Sequence, residues 1–186
     1  MLFRPHSELA GKHAFLSPSN YHWLNYTDQK LEARFVAAQA ARRGSDLHAL
    51  AHECVRLGVK LSRSNKALAT YVNDAIGYKM VCEQPLYYSD NCFGTPDTIS
   101  FRRSKMRIHD LKTGLATTSV HQLEVYAALC CLEYGIDPYE IEFELRIYQG
   151  EEIRVYEPDP ERIAHIMDTI VEFDKQIEAL KASDRF

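Results

Sequence analysis

The absences in this chain narrow it before any motif does. No stretch approaches the roughly 18 consecutive apolar residues of a membrane-spanning helix, and the amino-terminal MLFRPHSELAGKHAF carries no apolar segment of the export type. A cytoplasmic protein without a membrane partner is expected. Cysteine is scarce and unpaired in pattern: Cys54, Cys82, Cys92, Cys130 and Cys131 are odd in number and never spaced C-x-x-C. Free, mostly buried thiols follow, and neither a zinc site nor an iron–sulfur cluster is expected. An excess of positive charge is also missing. A formal charge of −4 speaks against a protein that coats nucleic acid non-specifically, because that mode rests on a large cationic term. It leaves room for a local basic groove at Arg42-Arg43, at Lys60, Arg63 and Lys66, or at Arg102, Arg103, Lys105 and Arg107.

Repeats and low-complexity tracts are absent too, and 46% hydrophobic against 26% charged residues is a folding composition rather than a disordered one. At 186 residues the chain suits one domain able to bury about two-thirds of its unfolded surface. The expected parts are a helical amino-terminal region (1–78), a sheet core (79–157) and a closing helix (158–182). In LSPSNYHWL, Ser17 reads as an N-cap and Pro18 as a first helical residue, for a short helix to about Asn25. Helical periodicity covers 30–57 with a possible break at Gly44, and a further helix is expected over 66–76. Three strand signals follow, YKMVCEQPLYY, FGTPDTISF and MRIHDLKTG. After a helix over 119–134 come EIEFELRIYQ and EIRVYEP, a hairpin about Gln149-Gly150. In the last helix Ile163, Ile166, Ile170, Phe173, Ile177 and Leu180 form one stripe, expected to pack on the core. This order predicts an α/β fold, a mixed sheet flanked by helices.

One hairpin carries charges where apolar residues belong. With its turn between Arg103 and Ser104, paired positions sum to 207, so Phe101 faces Met106, Ile99 faces Ile108 and Asp97 faces Asp110. Alternation then puts Asp97, Ile99, Phe101, Met106, Ile108, Asp110 and Lys112 on one face. Two opposed carboxylates repel unless a positive charge lies between them. A divalent ion on Asp97 and Asp110, with the Leu111 carbonyl as a further oxygen ligand, meets that need. Lys112 pairing with both carboxylates as a structural ion cluster meets it equally.

The GTPD, basic turn and IHDLKTG of this hairpin resemble the core of the PD-(D/E)XK nuclease superfamily, and specifically its RecB-like branch. RRGSDLHALAHE resembles that branch's upstream glycine-to-histidine helix motif, and HQLEVYAALC its downstream Gln-x-x-x-Tyr helix motif. HAFLSPSNYHWL is similar to the amino terminus of phage-associated members. The resemblance spans 13–131. It implies a restriction-endonuclease-like core in which His48, Asp97, Asp110 and the Leu111 carbonyl bind Mg²⁺ or Mn²⁺. Lys112 would then be catalytic, with Gln122 and Tyr126 lining the site and Glu83 a weaker member ahead of the hairpin. The cysteines that hold the iron–sulfur cluster of some relatives are not in place: Asn25-Tyr26 stands in the first motif, and no cysteine follows Cys131.

The implied activity is a divalent-metal-dependent deoxyribonuclease, foremost an exonuclease of phage-type recombination or repair, in a bacterial or phage-infected cytoplasm. Its partners would be DNA ends or single strands and a single-strand annealing or binding protein. A structure-specific or restriction-type endonuclease and a non-catalytic DNA-binding member of the fold are the alternatives. The intact Asp97, Asp110 and Lys112 set argues against the last of these.

Overall fold

The computed structural model describes residues 14–62, 66–114 and 119–183. Arg63 of the second basic cluster lies outside them. Contacts divide the chain into two units, one up to Ser45 and one from Asp46 onward.

The first unit opens with a 3₁₀ segment, Pro18–Asn25, within the expected bounds. It is not the regular capped helix the sequence suggests. Asn20 has non-helical angles, and the Ser17 hydroxyl meets that of Ser19 rather than a backbone N–H. The segment is held instead by the Trp23 indole N–H, which donates to the Ser17 carbonyl at 3.0 Å. Helix α1, Asp28–Leu57, then begins where Thr27 Oγ1 accepts from the Lys30 N–H, an N-cap bond. It runs without interruption through Gly44, whose cost of about 1 kcal/mol is too small to break a helix of this length. In this unit Phe15 and Phe35 meet edge to face, with ring centroids 5.3 Å apart.

The second unit holds the last three turns of α1 and then α2 (Ala67–Gly77), α3 (His121–Tyr134) and α4 (Pro160–Ala182). Its strands among the described residues are β1 (Val81–Cys82), β2 (Leu86–Ser89), β3 (Cys92–Gly94), β4 (Thr98–Arg102), β5 (Lys105–Lys112), β6 (Glu142–Gln149) and β7 (Glu152–Tyr156). The five-stranded sheet runs β1-β4-β5-β6-β7, and β2 and β3 form a separate two-stranded ribbon. All neighbours are antiparallel except β5 and β6, which α3 joins as a parallel crossover. The fold is thus α/β, a mixed sheet flanked by helices.

The three expected strands ahead of α3 are five. Left-handed Glu83 (φ 47°) and Pro85 separate β1 from β2, while Pro96 and the bend at Asp97 separate β3 from β4. Proline has no ladder N–H to give, so each break falls where the chain leaves one sheet for another. The carboxyl end of α3 is closed by Gly135, whose φ of 62° suits a residue without Cβ and whose N–H donates to the Cys131 carbonyl.

The core lies on both faces of the sheet. Ile99, Met106, Ile108, Leu145 and Ile147 pack against Leu123, Ala127 and Cys131 of α3 and Ile163 of α4. Leu111 and Tyr148, on the other face, pack with Tyr71 and Val72 of α2 and with Ala51 and Cys54 of α1. The α4 stripe is only half core. Ile163, Ile166 and Ile170 pack inward, whereas Phe173, Ile177 and Leu180 are exposed. Beyond Ile170 the helix runs beside the β2–β3 ribbon and is held by polar bonds, Asp174 accepting from Ser89 Oγ and Asn91 Nδ2, and Lys181 donating to Asn91. All five cysteines are free thiols. Burial pushes Cys130 up to about 11 and Cys131 up to about 12. Among the described residues no helix is long and apolar enough to cross a membrane.

Candidate active site

The β4–β5 hairpin forms in the expected register. Phe101 faces Met106, Ile99 faces Ile108 and Thr98 faces His109 about the two-residue turn Arg103-Ser104. The ladder stops one pair short of the aspartates. Asp97 lies in the bend after Pro96, not across from Asp110 in a strand pair. Its side chain takes over where the backbone leaves off, Oδ2 accepting the Leu111 N–H at 2.9 Å. The Leu111 carbonyl leaves the strand on the same edge as its N–H, so it points to the Asp97 side, past the end of the β4 ladder. The Leu111 side chain points the other way, into the second core.

Asp110 sits on the opposite edge of this opening and is buried, 5% exposed. Lys112, two residues on and on the same face, brings Nζ to 3.0 Å from each Asp110 oxygen. Only Oδ1 lies in line for a hydrogen bond, which leaves Oδ2 buried with none. The Lys112 ammonium also donates to Gln122 Oε1 at 3.4 Å, and Gln122 Nε2 donates to the Tyr126 hydroxyl at 3.2 Å. One turn of α3 separates Gln122 from Tyr126, so both project from one helical face, Gln122 toward Lys112 and Tyr126 toward β3. The Tyr126 ring is seated against Gly94 of β3, where a Cβ would stand 2.9 Å from its Cε1. Glycine is required there for close approach rather than for backbone angle.

From α1, His48 Nδ1 lies 3.5 Å from Asp97 Oδ2. One turn later His52 Nδ1 lies 3.1 Å from Glu83 Oε2. The Glu83 N–H donates to the Asp97 carbonyl at 3.0 Å, so its backbone belongs to the site while its largely exposed carboxylate turns to His52. Of the sequence candidates, Asp97, Asp110, Leu111, Lys112, Gln122, Tyr126 and His48 come together, and Glu83 stands at the rim. Two contributors lie outside the expected site set, His52, which the sequence shows only as a face-sharing neighbour of His48, and Gly94. The i, i+4 spacing of His48 and His52 was the available signal for the first, and the close approach of an α3 side chain left none for the second.

Asp97 is held above the ordinary carboxylate range. Burial is the largest cause and the Asp110 charge the next, against the Leu111 N–H, His48 and Lys112. Behind β5, burial and then the Arg146 and Arg107 charges bring His109 down to about 3. Tyr148 OH donates to Asp74 Oδ2 at 2.8 Å, so the 3.2 Å contact with His109 Nδ1 needs the proton on that nitrogen. His109 is therefore neutral, with Nε2 bare and without a partner.

The donor set fits a hard divalent cation. Two carboxylates repel across the opening, Asp110 Oδ2 has no hydrogen bond, and the Leu111 carbonyl faces the same side. Among the described residues no group of three His, Cys, Asp or Glu side chains is placed to hold a metal ion, and what the opening offers a cation is the two carboxylates with the Leu111 carbonyl. Compared with known protein families and with curated proteins, the chain matches none.

Proposed function

We propose that the protein is a divalent-metal-dependent deoxyribonuclease with a PD-(D/E)XK core of the RecB-like kind. The observation that carries this reading is the three-way meeting at the end of β5. A buried carboxylate whose side chain meets only the Lys112 ammonium among the described residues, a second carboxylate raised by burial and by the first, and a lysine shared between Asp110 and Gln122 converge there.

Asp97, Asp110, the Leu111 carbonyl and His48 would hold Mg²⁺ or Mn²⁺. When bound, such an ion supplies charge against the phosphate and lowers the pKa of water. The protein's own groups do the remaining work. An ammonium has three donors. Lys112 gives one to Asp110 and one to Gln122, which fixes its direction and leaves the third for an attacking water or a phosphate oxygen. Gln122 is fixed in turn by Tyr126, and Tyr126 by its seat on Gly94. Lys112 is thus positioned before substrate arrives, which is where much of the rate advantage of such sites originates.

The test is cleavage of end-labelled linear DNA and covalently closed circles by purified protein with Mg²⁺, Mn²⁺ or chelator. Divalent-dependent degradation of linear DNA with circles spared supports an exonuclease. Nicking or linearisation of circles moves the reading to the endonuclease alternative. Binding without cleavage under either ion overturns catalysis and favours a non-catalytic member of the fold.

A further inference from the structure

At the opposite end of the β4–β5 hairpin a cavity of about 740 Å³ opens between the turn and the end of α2. Tyr78, Lys79, Phe101, Arg102, Arg103 and Arg107 are among the residues that line it. The four basic residues of the hairpin are not equivalent there. Lys105 meets Glu142 and Glu144 at 3.4 Å, and Arg107 meets Glu144 at 3.1 Å while lying over the Tyr78 ring. Those two charges are neutralised within the fold. Arg102, Arg103 and, from the α2–β1 connection, Lys79 are exposed and meet no carboxylate among the described residues.

Two of these three free cations stand on left-handed backbone, Lys79 at φ 54° and Arg103 at φ 53°, followed by Ser104 at φ 57°. A two-residue hairpin turn with both centres at positive φ is satisfied at lower cost by Asn-Gly. Cations held in sparsely populated conformations around one cavity point to use, since that strain is kept where the site needs it. An aromatic surface completes the lining. Phe101 is 46% exposed beside Arg102, although alternation places it on the apolar face of the hairpin.

We propose that this cavity is a single-stranded nucleic-acid subsite, with phosphates on Lys79, Arg102 and Arg103 and a base stacked on Phe101. Cations tracking a backbone beside an exposed aromatic ring are the combination that binds single strands without base-specific bonds. A small inorganic anion would use the charges and leave Phe101 idle. From Lys105 to Asp110 is five residues of strand, about 17 Å, roughly twice the screening length of about 8 Å at physiological salt. The subsite therefore acts on binding and leaves the chemistry at Asp110 unchanged. Its purpose, to anchor a strand away from the bond being cut, rests on the nuclease reading; strand binding itself does not.

The experiment is fluorescence anisotropy of a labelled oligothymidine of about 20 nucleotides in EDTA, where nothing is cleaved. R102E/R103E should weaken binding at least tenfold and flatten the log–log salt slope by about 1.4, two phosphate contacts at about 0.7 each. Phe101→Ala should weaken it about fivefold with the slope unchanged, and R102K/R103K should keep the slope. Unchanged affinity in R102E/R103E overturns the site. Full displacement by inorganic pyrophosphate with Phe101→Ala indistinguishable from wild type overturns the strand in favour of a small anion, and tighter binding of the matching duplex overturns the single-strand assignment. If metal-loaded wild type cuts nothing while charge-sensitive binding persists, the subsite stands and the nuclease reading falls.

Discussion

The two faces of β5 treat charge in opposite ways. On the face toward α2, Arg146 reaches Asp74 at 2.9 Å, Glu144 at 3.0 Å and the Tyr78 hydroxyl at 3.0 Å, Tyr148 joins Asp74, and Arg107 joins Glu144. Nearly every charge there has its counter-charge, and the arrangement closes the gap between the sheet and α2. The face toward α3 is apolar at Met106 and Ile108 and turns charged only at Asp110 and Lys112, where the strand ends. That small group is incomplete: Asp110 Oδ2 lacks a hydrogen bond, and two carboxylates share one lysine. His109 Nε2 and Arg146 Nε on the α2 face are also buried without a hydrogen bond, so the difference lies in charge rather than in orphaned atoms. Opposite charges are matched within the fold on that face, whereas at the end of β5 the negative charge is in excess and can accept a cation. Charge on a strand is thus informative by whether its partners lie inside the fold.

The largest expected effect separates the two faces by activity. Asp110→Asn and Lys112→Ala should each lower divalent-dependent cleavage by at least about a thousandfold, the scale of losing a group that acts on the reacting atoms. Melting temperatures should change little, because Lys112 is partly exposed and Asn keeps the shape of Asp110. Cleavage assays paired with thermal melts decide it. Wild-type rates in both variants would mean that the α3 face is as structural as the α2 face.

Much of this contrast was legible in the sequence, and the exceptions share one cause. The hairpin register could be read because a two-residue turn and strict alternation leave a single pairing that buries Ile99, Met106 and Ile108 together. The Asp97, Asp110 and Lys112 grouping follows from that register, whereas Gln122 and Tyr126 join it only through the resemblance of their helix to a Gln-x-x-x-Tyr motif. Asp97 leaving the ladder was not legible, since it depends on a carboxylate replacing a backbone carbonyl as acceptor for Leu111. His52 meeting Glu83, Tyr126 resting on Gly94 and the outer half of α4 bonding Asn91 are contacts between distant segments. Local periodicity has no access to these. The closed polar network was missed for the same reason: it joins α2, β5 and β6, and each member alone reads as an ordinary polar residue.

A second perturbation should act in the reverse sense. Arg146→Met removes the cation on which Asp74 and Glu144 converge and leaves their carboxylates short of a partner. Breaking a fully buried pair costs about 3–5 kcal/mol. Because the Asp74 side chain is 29% exposed, a loss of about 2–3 kcal/mol is expected in urea unfolding. Cleavage per folded molecule, measured well below the melting temperature, should stay within about twofold of wild type. A variant that keeps its stability and loses activity would erase the distinction between the faces.

The smallest effect sharpens the comparison through pH. His109 is buried neutral in the folded chain, depressed to about 3 from an ordinary value of 6.5. Its contribution is fully present above the unfolded value and is lost as pH falls from about 6.5 toward 3, the window in which the unfolded chain binds a proton that the folded chain refuses. The slope is about 1.4 kcal/mol per pH unit once the unfolded imidazole is charged. Asp97 works in the other direction: held above its ordinary value, it favours the fold at low pH and loses that contribution as pH rises through its folded value. Whole-protein pH curves mix the two, so the measurement is the difference between wild type and His109→Asn. Asparagine keeps a donor near the Nδ1 position for Tyr148 and has no charge to take up. The variant should be less stable at pH 7 because it leaves space in the core, and its deficit should shrink by about 1.4 kcal/mol for each unit of acidification below about 6. Parallel curves from pH 7 to pH 5 would show that His109 takes up its proton inside the fold, and with it the closure of the α2 face would have to be given up.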